Sequence, residues 1–237
     1  MIQIRDIEMG FGGVRALSKL TVDLDDTIVG VIGPNGAGKT TLLNVLNGFL
    51  RPQAGSITAF GQDLLALAPH RRAHWGLRRT FQNEQVVDDM SLWDNVAVML
   101  DTVRLARTAR NDQVQAAIHF VGLSGNEQRL GRSLNAFERR MAEIARAVVG
   151  TPRLILMDEP GAGLSPQESG ILRAVITSIP VQFGAMVVLI DHDVQLIAAT
   201  CAKTAVLDFG TLIAYGPTDH VLKDSRVKAA YLGEEVV

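Results

Sequence analysis

Gly33-Pro-Asn-Gly-Ala-Gly-Lys-Thr40 sets glycines, a lysine and a hydroxyl at the spacing G-x-x-x-x-G-K-[ST]. Those residue types suit one chemistry, the cradling of phosphates: glycines let successive backbone N–H groups converge on phosphate oxygens, and a helix starting there adds its positive end. The expected binding set is Gly33, Asn35, Gly36, Ala37, Gly38, Lys39, Thr40 and Thr41, with Lys39 on the β- and γ-phosphates of a nucleotide and Thr40 a ligand of Mg²⁺. A second candidate is Leu154-Ile-Leu-Met-Asp158-Glu159, an apolar run ending in two acids. Asp158 suits Mg²⁺ and Glu159 suits activation of a water. Paired acids after a strand are as often solvated turn residues, and the phosphate loop elsewhere in the chain gives this pair its meaning. His192 follows Val187-Val-Leu-Ile-Asp191 and suits a hydrogen bond to a γ-phosphate. His70, His74, His119 and His220 lack such a setting and read as structural.

The elements that must position these groups follow from periodicity. Short apolar runs, Ile28 to Ile32, Leu154 to Met157, Ala185 to Ile190 and Thr204 to Leu207, alternate with segments of helical period. That pattern predicts a largely parallel sheet covered by helices. Ligands of such sheets sit beyond the C-terminal ends of the strands, so the phosphate loop, Asp158-Glu159 and His192 are expected to meet at one edge. Met1 to Met9 alternates like a strand and carries no targeting pattern. Asn83 to Arg132 reads as helical, most clearly from Asp112 to Val121, and is expected to form a subdomain inserted into the core.

With 237 residues, 47% of them hydrophobic and 20% charged, the chain can bury the core of one α/β domain. A net charge of -2 gives no field to hold nucleic acid. Cys201 stands alone, which excludes an internal disulfide and fits a helix-packing role. Apolar runs such as Met186 to Ile190 fall far short of a membrane span.

Taken in order, these motifs resemble the ATP-binding subunit of ABC transporters, from Phe11 to the C-terminus. The resemblance implies an α/β phosphate-loop NTPase core of the RecA-like type, with an antiparallel β portion at the N-terminus and an inserted helical subdomain. On that reading, residues 1–237 are one domain, with the core at about 1–82 and 150–237 and the helical subdomain at about 83–149. It further implies that Phe11 stacks on adenine with help from Val14. Gln82, in Arg78-Arg-Thr-Phe-Gln82, would sense Mg²⁺ and the γ-phosphate; Asp158 would hold the metal, Glu159 act as catalytic base and His192 as the switch histidine. Phe11-Gly-Gly-Val-Arg-Ala-Leu17, Leu77 to Gln82, Glu159-Pro-Gly-Ala-Gly-Leu164 and Val227-Lys-Ala-Ala-Tyr-Leu-Gly233 are similar to the branched-chain amino acid and urea uptake branch. Implied partners are a second ATPase subunit, transmembrane permease subunits and a substrate-binding protein, with the chain cytoplasmic and peripheral on the inner face of the membrane. The alternatives are a non-transport ATPase of the same superfamily and a weakly catalytic regulatory subunit.

One segment departs from the pattern. Where the family carries a Leu-Ser-Gly-Gly-Gln-like signature that contacts the partner subunit's ATP, this chain has Leu134-Asn-Ala-Phe-Glu138. The ring of Phe137 is expected to fill space that glycine leaves open, and Glu138 to bring negative charge near a triphosphate. Asn135 and Glu138 also make a good capping pair. In the helix that follows, Met141, Ile144, Ala145, Val148 and Val149 form an apolar face, with Glu138, Arg139, Arg140, Glu143 and Arg146 mostly opposite. A poor signature and an intact phosphate loop together imply an asymmetric heterodimer.

Overall fold

The structure is a computed structural model that describes residues 1–101 and 106–232. Its strands are β1 (Ile2–Phe11), β2 (Val14–Leu24), β3 (Ile28–Ile32), β4 (Ala54–Ala59), β5 (Gln62–Asp63), β6 (Leu77–Arg79), β7 (Leu154–Asp158), β8 (Met186–Ile190), β9 (Lys203–Asp208) and β10 (Thr211–Pro217). The helices that concern the site are α1 (Lys39–Asn47), α2 (Pro69–Trp75), α3 (Leu92–Ala97), α4 (Arg107–Phe120), α5 (Ala136–Val148), α6 (Pro166–Phe183) and α7 (Val194–Thr200).

Strand character follows the apolar pattern. Ile2, Ile4, Ile7 and Met9 alternate along β1 and are buried, so one face of an antiparallel sheet ordered β2-β1-β4-β5 lies on the core. β3, β7 and β8 are buried at every residue, as strands covered on both faces must be. They pair in parallel within a sheet ordered β10-β9-β3-β8-β7-β6, and β10 closes one side antiparallel to β9. This is the α/β architecture the apolar runs predict.

Each buried strand serves two cores. Leu154, Leu156, Val188 and Ile190 face α1 and the antiparallel sheet, while Ile155, Met157, Val187 and Leu189 face the helices beyond. Cys201, just after α7, is buried there and its thiol is pushed up to about 12 by burial, in keeping with a packing role. The segment expected to be helical holds α3 and α4, which pack on each other and on α5. Its one strand-like feature among the described residues is an isolated bridge between Ser91 and Leu130. The last residue of the C-terminal stretch quoted above, Gly233, lies outside the described residues.

Candidate nucleotide site

The phosphate loop leaves β3 at Ile32 and enters α1 at Lys39. Two glycines are required by what surrounds them. Gly33 (φ +150°) approaches the Leu207 carbonyl so closely that a Cβ would run into it, and Gly38 (φ +98°) does the same at the Ala16 carbonyl. The loop is therefore clamped by β9 on one side and β2 on the other. Ala16, Asn35, Gly36, Ala37, Gly38, Lys39, Thr40, Thr41 and Glu159 line a cleft of about 190 Å³.

Lys39 is buried and donates to the carbonyl oxygens of Gly33 at 2.7 Å and Pro34 at 3.0 Å. Burial pulls its ammonium below the usual lysine range, and the charges of Glu159 and Asp158 oppose that shift. Glu159 stands where β7 ends, in a left-handed conformation (φ +50°) that costs a non-glycine residue about 1 kcal/mol. Its N–H donates to Ile190 at 2.8 Å, which fixes the turn, and its Oε2 accepts from Gln82 Nε2 at 2.9 Å. His192 Nδ1 lies 3.8 Å from the same Oε2 and 3.8 Å from Asp191 Oδ1. Gln82, Glu159, His192 and the phosphate loop thus meet at the C-terminal edge of the parallel sheet.

Among the described residues no cluster of His, Cys, Asp and Glu could hold a metal by itself. The oxygen donors of the expected metal ligands are instead the hydroxyl of exposed Thr40, which lines the cleft, and, outside its lining, the Asp158 carboxylate at the end of β7 and the amide of Gln82, which bonds Glu159. Hard oxygen donors of this kind, few in number, fit Mg²⁺ completed by phosphate oxygens and water.

Phe11 and Val14 face each other across the β1–β2 turn, 49% and 69% exposed, and are not among the residues lining the cleft; Ala16 is.

The signature segment differs from expectation in detail. Phe137 is half-buried against the helical core, because the first turn of α5 turns its ring inward. Glu138 pairs with Arg129 at 2.6 and 3.0 Å, which holds its carboxyl below the usual range and offsets its charge. The capping box is complete: Glu138 N–H donates to Asn135 Oδ1 and Asn135 N–H to Glu138 Oε2, each at 2.8 Å.

Several further residues, which no sequence motif marks, complete the surroundings of the site. Arg79 donates to Asp158 Oδ2 at 2.8 Å and to Asn44 Oδ1 at 2.6 Å. Asp191 is fully buried and accepts from Gly161 N–H and Asp193 N–H, each at 2.9 Å, so it orders the loops beside Glu159 and His192. The polar side of α5 grips the segment after β6: Glu143 accepts from Phe81 N–H at 3.2 Å, Arg140 donates to the carbonyls of Phe81 and Gln82, and Arg146 to that of Gln85. Arg140 and Glu143 are 4% and 1% exposed, so the face opposite the apolar one is itself an interface. The available signal was an arginine inside a short strand and an acid inside a helix, residue types that are seldom buried unless paired.

Residues 18–162 match the ABC transporter family. The chain is 32% identical to the high-affinity branched-chain amino acid transport ATP-binding protein BraF of Pseudomonas aeruginosa, over 99% of this chain and 98% of that one. It is 34% identical to the lipopolysaccharide export system ATP-binding protein LptB of Haemophilus influenzae, over 91% and 89%. Among solved structures, the ADP conformation of MJ1267, an ATP-binding cassette of an ABC transporter, superposes with a TM-score of 0.88 at 25% identity, covering 99% of both chains.

Proposed function

We propose that this chain, which belongs to the ABC transporter family of ATP-binding subunits, powers uptake of branched-chain amino acids or a related small amide such as urea. The chain is an ATP-hydrolysing subunit of a transporter. The cargo reading draws on similarity to BraF over nearly the whole length of both chains. The single observation that carries the catalytic reading is the meeting of Gln82, Glu159 and His192 beside the phosphate loop.

In this reading Lys39 exchanges the Gly33 and Pro34 carbonyls for the β- and γ-phosphates, and Phe11 and Val14 on the exposed hairpin meet the adenine. Glu159 orients a water and takes its proton for in-line attack on the γ-phosphorus, while Lys39 and His192 stabilise the charge that develops. Thr40, Gln82 and Asp158 would hold Mg²⁺, which would supply neutralisation of phosphate charge. Gln82, bonded to Glu159, joins the site to residues 83–149, which act as a helical subdomain within the single domain 1–237.

The permease partner fits a groove of about 260 Å³ whose lining includes Phe49, Leu77, Phe81 and Met99, next to the segment that α5 grips. Among the described residues no helix is long and apolar enough to cross a membrane, and the chain sits peripherally on the inner face through that groove. The second ATPase subunit is a different chain with a better signature, because here Ala136 and Phe137 stand at the start of α5 where the family pattern has glycines. A substrate-binding protein completes an uptake system.

Reconstitution tests the reading. Proteoliposomes holding this chain and the permease that co-purifies with it should accumulate radiolabelled leucine or urea only with ATP. A complex that hydrolyses ATP and accumulates neither would refute the cargo assignment.

A further inference from the structure

Arg79 ends β6, an edge strand beside β7, and its side chain reaches three places at once. One guanidinium nitrogen donates to Asp158 Oδ2 at 2.8 Å, and the other to Asn44 Oδ1 of α1 at 2.6 Å. Its central carbon lies 4.9 Å from the Phe81 ring centroid and 6.0 Å from that of Phe49. The two rings stack with centroids 6.4 Å apart and planes 15° apart, and both line the groove assigned to the permease. The ion pair is deeply buried, at 7% and 8% side-chain exposure.

Such a pair has a physical consequence for a cation at Asp158. A buried carboxylate already compensated by a guanidinium attracts a second cation less, because the two positive charges repel in a medium of low effective dielectric. The hydrogen bond also fixes the rotation of the carboxylate. Aromatic faces hold the guanidinium in place through cation–π attraction, so a change at Phe49 or Phe81 alters how firmly Arg79 holds Asp158. Gln82 offers one path from the helical side to the γ-phosphate; Arg79 is a separate path, from the groove to the metal-binding acid.

We infer that Arg79 is a positioning residue that competes with Mg²⁺ for Asp158 and links that carboxylate to the aromatic lip of the groove. The inference rests on the reading of Asp158 as a metal ligand. Occupation of the groove would loosen or tighten Arg79 and thereby set how readily the nucleotide site takes its metal.

The test measures the Mg²⁺ concentration that half-saturates the fluorescence change of a labelled ATP analogue bound to the full-length chain. Binding of the analogue in excess chelator serves as the metal-free control. Arg79→Gln should lower the half-saturating Mg²⁺ roughly three- to tenfold and leave metal-free binding unchanged, and Arg79→Lys, which keeps a cation, should restore most of the wild-type requirement. Phe81→Leu should shift it in the same direction by about twofold, and should add nothing in the Arg79→Gln background, since coupled residues are not additive. Phe81→Leu strands no buried charge and carries the test if the glutamine variant does not fold. An unchanged or raised Mg²⁺ requirement in Arg79→Gln, or in Phe81→Leu when only that variant folds, overturns the inference. A Phe81→Leu effect that simply adds to that of Arg79→Gln overturns the link to the groove. Asp158→Asn distinguishes this from failure of the underlying reading: if it too leaves the Mg²⁺ requirement unmoved, Asp158 is not the metal ligand.

Discussion

Gln82 Nε2 donates to Glu159 Oε2 at 2.9 Å, so the residue leading into the helical segment holds the carboxylate proposed as the base. Glu159→Gln keeps the shape and can still bond Gln82, but it has no basicity. A positioned base contributes about 10² to 10⁴ in rate. Turnover should fall by that amount with ATP binding retained, measured by phosphate release and by equilibrium binding on the same preparation. Unchanged turnover would remove Glu159 from the mechanism.

The glycines of the phosphate loop should differ in cost. Gly36 (φ +82°) has open space around it, and alanine there pays only for the left-handed backbone, about 1 kcal/mol. At Gly38 the added methyl also meets the Ala16 carbonyl and the Leu17 side chain, which brings a further overpacking cost of about 1–3 kcal/mol. Urea denaturation of Gly36→Ala and Gly38→Ala should rank them in that order. Equal costs would mean that β2 does not clamp the loop.

Glu143 carries a pH dependence. Burial pushes its carboxyl up to about 7 from an ordinary value of 4.5, against the opposing charges of Arg146 and Arg140. Between those values the native chain keeps a proton that the unfolded chain loses, so this group's contribution is fully present below about 4.5 and is lost as pH rises through about 7. Glu143→Gln cannot ionise. Its stability relative to wild type should therefore rise between pH 5 and pH 8, by up to about 2 kcal/mol. A flat difference across that range in denaturant titrations would show that Arg140 and Arg146 keep Glu143 ionised throughout.

What the sequence discloses is local. The phosphate loop, its flanking strand and helix, and the acids ending β7 are contiguous patterns, and period-two burial with runs of apolar residues suffices to set the sheet. Arg79 and Asp158 form an ion pair across 79 positions, and no periodicity in either segment joins them. Arg140 and Glu143 fall on the side of α5 that a helical wheel assigns to polar residues, yet they are buried because residues 81–85 lie across that side. By residue type alone Phe137 reads as an obstruction. Its half-buried place against the helical core depends on packing that no single segment records.

That placement sharpens what can be asked of the signature. With Phe137 turned inward and Glu138 neutralised by Arg129, the feature that would still set this segment apart from a signature able to meet a partner's γ-phosphate is the absence of glycine at the helix start. Replacing Asn135→Ser, Ala136→Gly, Phe137→Gly and Glu138→Gln together restores the family pattern while keeping a capping pair of the Ser and Gln type. Loss of the half-buried ring should lower stability by about 2 kcal/mol. If the weak signature limits self-pairing, the purified variant alone should hydrolyse ATP at least about tenfold faster than wild type, equivalent to about 1.4 kcal/mol of the barrier, with cooperative dependence on ATP. Brisk cooperative turnover by the unmodified chain alone would defeat the heterodimer, since two copies would then already form competent sites.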